Sequence, residues 1–281
     1  MGKDILIFGN GFLGNRIHEE IDSDITNVKI YNYYDAENEI DKYNPKVVIN
    51  CIGDTGINNV DDCEKAPAKT LNSNVFVPIM LAEACIRRNI YFVHISSGCI
   101  YHYDYEKDNP IDEYRNPDFF DLFYSRSKMY SERVLDILTY KYNILIARMR
   151  IPLDNVPHPK NILTKLIKFK KAIDIPNSVS YIPDFIDALE HLIINRDIGI
   201  FNIVNKGGLR YPALLDTYKA QNPLFTYEII DYKKLPTPRT NLLLSTRRLD
   251  EVGFQMRHIN DVLDECVFIY IKQGGYYVET K

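Results

Sequence analysis

No apolar run in this 281-residue sequence approaches the roughly 20 residues of a membrane-spanning helix, so no membrane partner is expected. Basic residues are not in excess either. Against 38 Asp and Glu there are 34 Lys and Arg, a formal charge of −4, and no basic stripe suits nucleic acid. Cysteine is sparse: Cys51, Cys63, Cys85, Cys99 and Cys266 are odd in number and lack CxxC spacing. That argues against a disulfide framework or a zinc site and for a reducing compartment. The first residues show no basic segment, long apolar core or cleavage site, and Leu6 stands where a myristoylation motif needs Ser or Thr. A cytoplasmic location is therefore expected. What is present, 46% hydrophobic and 26% charged residues, can bury one large core or two modest ones.

Short apolar runs alternate with helical patterns. Ile5–Phe8 precedes Leu13, Ile17 and Ile21, which recur every fourth residue on one helix face. Strands are expected at Val28–Tyr31, Val47–Ile52, Tyr91–Ile95 and Ile144–Ala147, the last three continuous enough to be buried on both faces. A helix from about Ala68 to Arg88 fills one gap. The alternation predicts an α/β fold, a doubly wound parallel sheet (Rossmann) with right-handed crossovers. Beyond Arg148 the rhythm breaks at Pro152, Pro157 and Pro159. Shorter elements follow: a Lys-rich helix from Asn161, a helix from Asp184 and a strand near Ile200–Val204. The expected division is a dinucleotide-binding domain over 1–149 and a smaller C-terminal substrate-binding portion over 150–281.

Two motifs carry chemistry. Gly9-Asn10-Gly11-Phe12-Leu13-Gly14 is a GxGxxG between the first strand and first helix. Its glycines allow a tight turn, close approach of a pyrophosphate and close helix packing, and the helix N-terminus favours negative charge. No acidic residue obviously ends the second strand: Tyr31-Asn32-Tyr33 stands there, with Asp35 beyond. A 2′-phosphate is then less disfavoured, which points to NADPH with NADH as the alternative. The second motif is Tyr124-Ser125-Arg126-Ser127-Lys128. Tyr124 and Lys128, four apart, stack on one helix face, where an ammonium lowers the pKa of a phenol. With 21 Tyr in the chain such a pair arises by chance, so its place after His94-Ile95-Ser96-Ser97 is what matters.

In this order and spacing these motifs resemble the extended short-chain dehydrogenase/reductase family, although the glycine motif is one residue shorter than the family's usual GxxGxxG. The resemblance implies that Ser97 binds a substrate carbonyl, that Tyr124 exchanges a proton with it, and that Lys128 also holds the nicotinamide ribose. It further implies cofactor contacts at Gly9, Gly11, Phe12, Leu13, Gly14, Gly53 and Asn74.

A closer resemblance lies in Ser96-Ser97-Gly98-Cys99-Ile100-Tyr101, Phe123-Tyr124-Ser125-Arg126-Ser127-Lys128, Pro159-Lys160-Asn161-Ile162-Leu163-Thr164-Lys165 and Asp174-Ile175-Pro176-Asn177-Ser178. Together they look like the bifunctional UDP-4-keto-6-deoxyglucose 3,5-epimerase/4-reductases (nucleotide-rhamnose synthase/epimerase-reductase), relatives of dTDP-4-dehydrorhamnose reductase. That implies a UDP-sugar substrate, Cys99 and Lys165 as epimerising groups, and Asn161 and Arg239 among the substrate-binding residues. Arg239, in Pro236-Thr237-Pro238-Arg239-Thr240-Asn241, suits a diphosphate because a guanidinium grips phosphate oxygens bidentately.

Alternatives remain at this point. GDP-fucose synthase, whose Ser-Ser-Cys-Ile-Tyr resembles this segment, pairs Cys with His, and that makes His158 a rival to Lys165. A reductase of dTDP- or GDP-sugars would share most of these residues. Some relatives are non-catalytic regulatory subunits of methionine adenosyltransferase, but the joint presence of Ser97, Cys99, Tyr124 and Lys128 argues for an enzyme. A homodimer is one option for assembly.

Overall fold

The structure, a computed structural model, describes residues 3–57, 59–232 and 240–276. In chain order its first elements are β1 (Ile5–Phe8), α1 (Phe12–Glu20), β2 (Asp24–Thr26), α2 (Tyr33–Tyr43) and β3 (Val47–Asn50). Then come α3 (Pro67–Leu71), α4 (Val77–Arg87), β4 (Tyr91–Ser97), α5 (Phe123–Thr139) and β5 (Ile144–Met149). The later elements are β6 (Pro152–Leu153), α6 (Ile162–Phe169), β7 (Lys171–Ile173), β8 (Ser180–Tyr181), α7 (Ile182–Asn195) and β9 (Gly199–Asn202). The described chain ends with α8 (Tyr211–Gln221), β10 (Glu228–Ile230), α9 (Arg247–Glu251) and α10 (Leu263–Lys272).

Two compact units emerge. The first holds the residues up to Tyr101, with Asn116–Arg148 and Leu189–Phe201, and the second holds His102–Arg115, Met149–Ala188 and the described residues from Asn202 onward. Segments 102–115 and 189–201 each group with the other unit from the residues that flank them in sequence.

The first unit is built on a six-stranded sheet in the order β2-β1-β3-β4-β5-β9, with β1 parallel to β2 and β3, and β3 parallel to β4. All residues of β3 and β4 are buried, as strands covered on both faces must be. Leu6, Phe8, Val48, Phe92, Ile144 and Ile146 pack with Leu81, Ala84 and Cys85 of α4 and Leu135 of α5. Each such side chain stabilises the unit by about 1.5–3 kcal/mol on full burial.

The second strand differs from expectation. It is Asp24–Thr26, which registers with Leu6–Phe8, while 28–31 leads into a helix cap. The alternation of Val28 and Ile30 marks burial of a connecting segment, not strand pairing. Asp35 closes a capping box on α2, its carboxylate accepting the Tyr31 and Asn32 amides at 2.8 and 3.1 Å. The expected helix from Ala68 to Arg88 is interrupted by a π-helical turn at Asn72–Phe76.

In the second unit, β7 pairs in parallel with β10 and β6 with β8. Its core gathers Leu163, Leu166 and Ile167 of α6 with Tyr218, Phe225 and Tyr270. Leu163, Leu166 and Ile167 thus form the buried face of α6, whereas Phe169 is exposed. The buried guanidinium of Arg150 donates to Asn177 Oδ1 from Nε (3.1 Å) and Nη2 (2.7 Å), and to Thr240 Oγ1 from Nη1 (3.0 Å). No described helix is long and apolar enough to cross a membrane.

Candidate active site

The sheet order reverses between β1 and β3, whose connections leave in opposite directions. Ligands of open α/β sheets bind in the crevice at such a point, beyond the carboxyl ends of the strands. Gly9 follows β1 there and Cys51 follows β3, with the Cys51 amide donating to the Phe8 carbonyl at 2.9 Å. Gly9 has φ +103°, and a Cβ on it would lie 3.0 Å from the Ile52 nitrogen. A Cβ on Gly14 would lie only 1.9 Å from the Gly9 carbonyl oxygen, so this glycine lets α1 close onto the turn. Gly11 differs: its Cβ would meet nothing within 4 Å. It begins α1 with no side-chain cap, and the first turn carries no acidic residue. An open glycine before an uncapped helix N-terminus suits a pyrophosphate.

This contrast gives a prediction. Gly14→Ala destabilises the protein by about 1–3 kcal/mol in urea unfolding through overpacking. Gly11→Ala stays within about 0.5 kcal/mol of wild type, yet weakens NADPH binding measured by nicotinamide fluorescence. Equal unfolding midpoints for the two variants would contradict the packing assigned to Gly14.

At the end of β4, Ser97 accepts the Cys99 amide at 3.2 Å, which leaves the Ser97 hydroxyl proton available for donation. The half-buried Cys99 is held from its other side by Ser125, whose hydroxyl donates to the Cys99 carbonyl at 2.6 Å. Ser125 and Ser127 lie inside the Tyr124–Lys128 motif, so they stitch it to its surroundings. Ser127 donates to the Tyr124 carbonyl at 2.7 Å and accepts from Asn74 Nδ2 at 3.0 Å. Asn74 lies in the π turn, fully buried, and its amide also accepts from the Asp54 nitrogen (2.7 Å) and donates to the Asp54 carbonyl (3.0 Å). Both ends of that side chain bond to protein, so Asn74 ties α5 to the segment after β3. Gly53 is exposed beside it.

Lys128, one turn after Tyr124 on α5, is buried. Its ammonium donates to the Ile95 carbonyl at 2.9 Å and stands 3.5 Å from His94 Nε2. Burial pushes its pKa down to about 8, while Glu132 and Cys51 pull the other way. Burial likewise raises the Cys51 thiol to about 12, with Lys128 opposing. Glu132, one turn beyond Lys128, accepts from Ser96 Oγ at 2.7 Å and from Arg148 Nε at 3.0 Å and Nη2 at 2.6 Å. Asn50, His94, Ser125, Ser127, Glu132 and Arg148 were not singled out from sequence. Only Glu132 left a signal, as the next member of the Tyr124/Lys128 helix face.

The remaining expected residues lie in the second unit. Lys165 is half-buried on α6, its pKa lowered by desolvation and then by Lys160. His158 is also partly buried; desolvation and Lys160 lower its pKa, and Nδ1 accepts the Lys160 amide at 3.0 Å. Asn161 stands at the start of α6. It is fully buried, accepts the Leu163 amide at 3.0 Å as the cap of α6, and donates to the Asp154 and Val156 carbonyls at 2.7 and 2.9 Å. Arg239 lies outside the described residues. No cluster of His, Cys, Asp or Glu suited to a metal ion occurs among the described residues.

Residues 3–175, more than half of the chain, match the RmlD substrate binding domain. The chain belongs to this family. Among its relatives is the bifunctional dTDP-4-dehydrorhamnose 3,5-epimerase/dTDP-4-dehydrorhamnose reductase of Arabidopsis thaliana, 28% identical over 82% of this chain and 79% of that protein. The crystal structure of the L780 UDP-rhamnose synthase from Acanthamoeba polyphaga mimivirus shares the fold, with a TM-score of 0.86, 24% identity and coverage of 95% of this chain and 99% of that one. The dTDP-4-dehydrorhamnose reductase of Bacillus anthracis, solved in complex with NADP, has a TM-score of 0.81 at 19% identity over 95% of this chain and 99% of its own. The RmlD-family fold is thus a mostly parallel sheet with flanking helices, as the strand–helix alternation predicts.

Proposed function

We propose that this chain is an NADPH-dependent reductase of 4-keto-6-deoxy nucleotide sugars that also epimerises C3 and C5, yielding UDP-L-rhamnose. The observation that carries the reading is Ser97, Cys99, Tyr124 and Lys128 tied together around β4 and α5, in the unit that carries the glycine turn. The Arabidopsis relative's name supports the pairing of epimerase with reductase, and the mimivirus protein's name supports the UDP sugar.

The residues fit a dinucleotide. The open face at Gly11 and the N-terminus of α1 would take the pyrophosphate, with Gly9, Phe12, Leu13 and Gly14 shaping the turn and Gly53 lying beyond β3. Lys128 and Tyr124 would hold the nicotinamide ribose. NADPH is favoured over NADH because β2 ends at Thr26 with Asn27 and Val28 following, and Asp35 is engaged in the α2 cap. The bound cofactor supplies hydride to C4.

The chain's own groups manage protons. The Ser97 hydroxyl polarises the C4 carbonyl, and Tyr124 delivers a proton to the oxygen as it becomes an alkoxide. The Lys128 ammonium then stabilises the phenolate. The C4 ketone also acidifies the hydrogens on C3 and C5. Cys99, two residues past Ser97 at the end of β4, is assigned as a base for these positions. Lys165 is assigned as the acid, with His158 as its rival.

Incubation with UDP- or dTDP-4-keto-6-deoxyglucose and NADPH or NADH, with NMR identification of the product, tests the reading. The UDP substrate with NADPH is expected to give UDP-L-rhamnose. A preference for dTDP would follow the Arabidopsis relative's name instead. Absence of turnover with every nucleotide would favour a regulatory role. In deuterated water the wild type exchanges C3 and C5 hydrogens even without NADPH. Cys99→Ser slows that exchange by about tenfold or more, because its hydroxyl is scarcely ionised. Lys165→Met slows it at one or both carbons. Wild-type exchange and L-rhamnose formation in both variants would leave a simple reductase, or move the acid to His158.

A further inference from the structure

Behind the reacting face of Lys128 lies a polar file that the proposed chemistry does not use. Asn50 and His94 stand directly opposite each other in the parallel pair β3–β4, and both are fully buried. Asn50 Oδ1 accepts the Ile52 amide at 3.0 Å, and Asn50 Nδ2 lies 3.1 Å from His94 Nδ1. On its far side, His94 Nε2 lies 3.5 Å from Lys128 Nζ. The ring stacks on Phe92, 6.4 Å between centroids with 12° between planes.

The hydrogen positions in this file follow from donor and acceptor types. The Ile52 N–H can only donate, so the Asn50 oxygen must face it. The Asn50 amide nitrogen then faces His94 and can only donate. His94 Nδ1 must therefore be a lone pair, and in a neutral ring the hydrogen sits on Nε2. Lys128 already donates to the Ile95 carbonyl. As an ammonium it would also point hydrogen toward the Nε2 hydrogen. As an amine it offers a lone pair to it.

We infer that Asn50 and His94 form a positioning relay, in which the Asn50 amide fixes His94 as its Nε2–H tautomer and His94 thereby favours the amine form of Lys128. This rests on the reductase reading for its consequence, because Lys128 sets how readily Tyr124 gives up its proton. Other titratable groups near Lys128 are Tyr124, one turn back on α5, Cys51 beyond β3, and Glu132 on the same helix, whose carboxylate is engaged by Arg148 and Ser96. His94 itself is held well below the usual imidazole range by burial and then by the Lys128 charge, which agrees with a neutral ring.

The test begins with no substrate. In protein labelled with 15N-histidine, a long-range proton–nitrogen spectrum is expected to show His94, identified by its loss in His94→Phe, as the Nε2–H tautomer with no titration from about pH 5 to 9. An Nδ1–H ring, or a ring that titrates in this range, overturns the relay. The Lys128 amine is followed by 13Cε-lysine titration and assigned with Lys128→Met. Asn50→Asp inverts the tautomer and Asn50→Leu frees it, so both should raise the Lys128 midpoint. The expected shift is about half to one pH unit, the share of one ordinary hydrogen bond. If only the charged Asp variant moves it, a field effect replaces the tautomer mechanism. The alkaline limb of kcat/KM for reduction should rise with the same midpoint. A wild type that reduces no keto-sugar would defeat the reductase reading, while the two titrations would still decide the relay.

Discussion

Tyr124→Phe lowers keto-sugar reduction by about 10²–10⁴-fold, the range expected when a positioned general acid is lost. NADPH binding stays close to wild type, because the glycine turn and Lys128 remain. The substitution is local in effect. Tyr124 contributes its backbone carbonyl to Ser127, and that bond does not depend on the phenol. The Ser125 and Asn74 bonds that hold α5 are equally untouched. Single-turnover reduction under saturating NADPH is the appropriate measurement, since it isolates the chemical step from product release. Turnover close to wild type would remove Tyr124 from the mechanism. Loss of NADPH affinity on the scale of the rate would make it a binding residue instead.

The strands and the two motifs were legible because their signals are local. β1, β3, β4 and β5 are continuous apolar runs, and the glycine turn and Tyr124/Lys128 are short patterns whose spacing reports one conformation. The second strand was not legible. Asp24-Ile25-Thr26 holds a single apolar residue, and its pairing with β1 is a long-range choice, whereas Val28 and Ile30 imitate a strand while leading to a cap. The π turn at Asn72–Phe76 was hidden for a related reason. It is decided by the bonds Asn74 makes to Asp54 and Ser127, 20 and 53 residues away in sequence. Asn161 matches its motif and also caps α6, where its side-chain oxygen accepts the Leu163 amide. The file from Asn50 to Lys128 likewise depends on which strands are neighbours, and no spacing along the chain reports that.

Arg148→Met is expected to cost about 3–5 kcal/mol, because it strands a buried carboxylate without its cation. Arg148 and Glu132 side chains are only 1% and 3% exposed, and two guanidinium nitrogens grip the two carboxylate oxygens. The guanidinium also lies over the Tyr101 ring, 5.5 Å from its centroid. Met preserves much of the apolar stem but neither the charge nor the fork. Ser96 is then the one remaining hydrogen-bond donor to Glu132 named in this cluster, and a single hydroxyl supplies too little to offset desolvation of the charge. Urea unfolding of the purified protein measures the loss. A buried pair attracts strongly only because both partners were first taken out of water, so removing both should be far milder than removing one. The double variant Glu132→Leu with Arg148→Met is therefore expected to recover most of the stability. It also removes the carboxylate that holds the Lys128 pKa up, so the Lys128 midpoint should fall below that of wild type. A double variant as unstable as Arg148→Met alone would mean that shape, not charge pairing, is what Arg148 contributes.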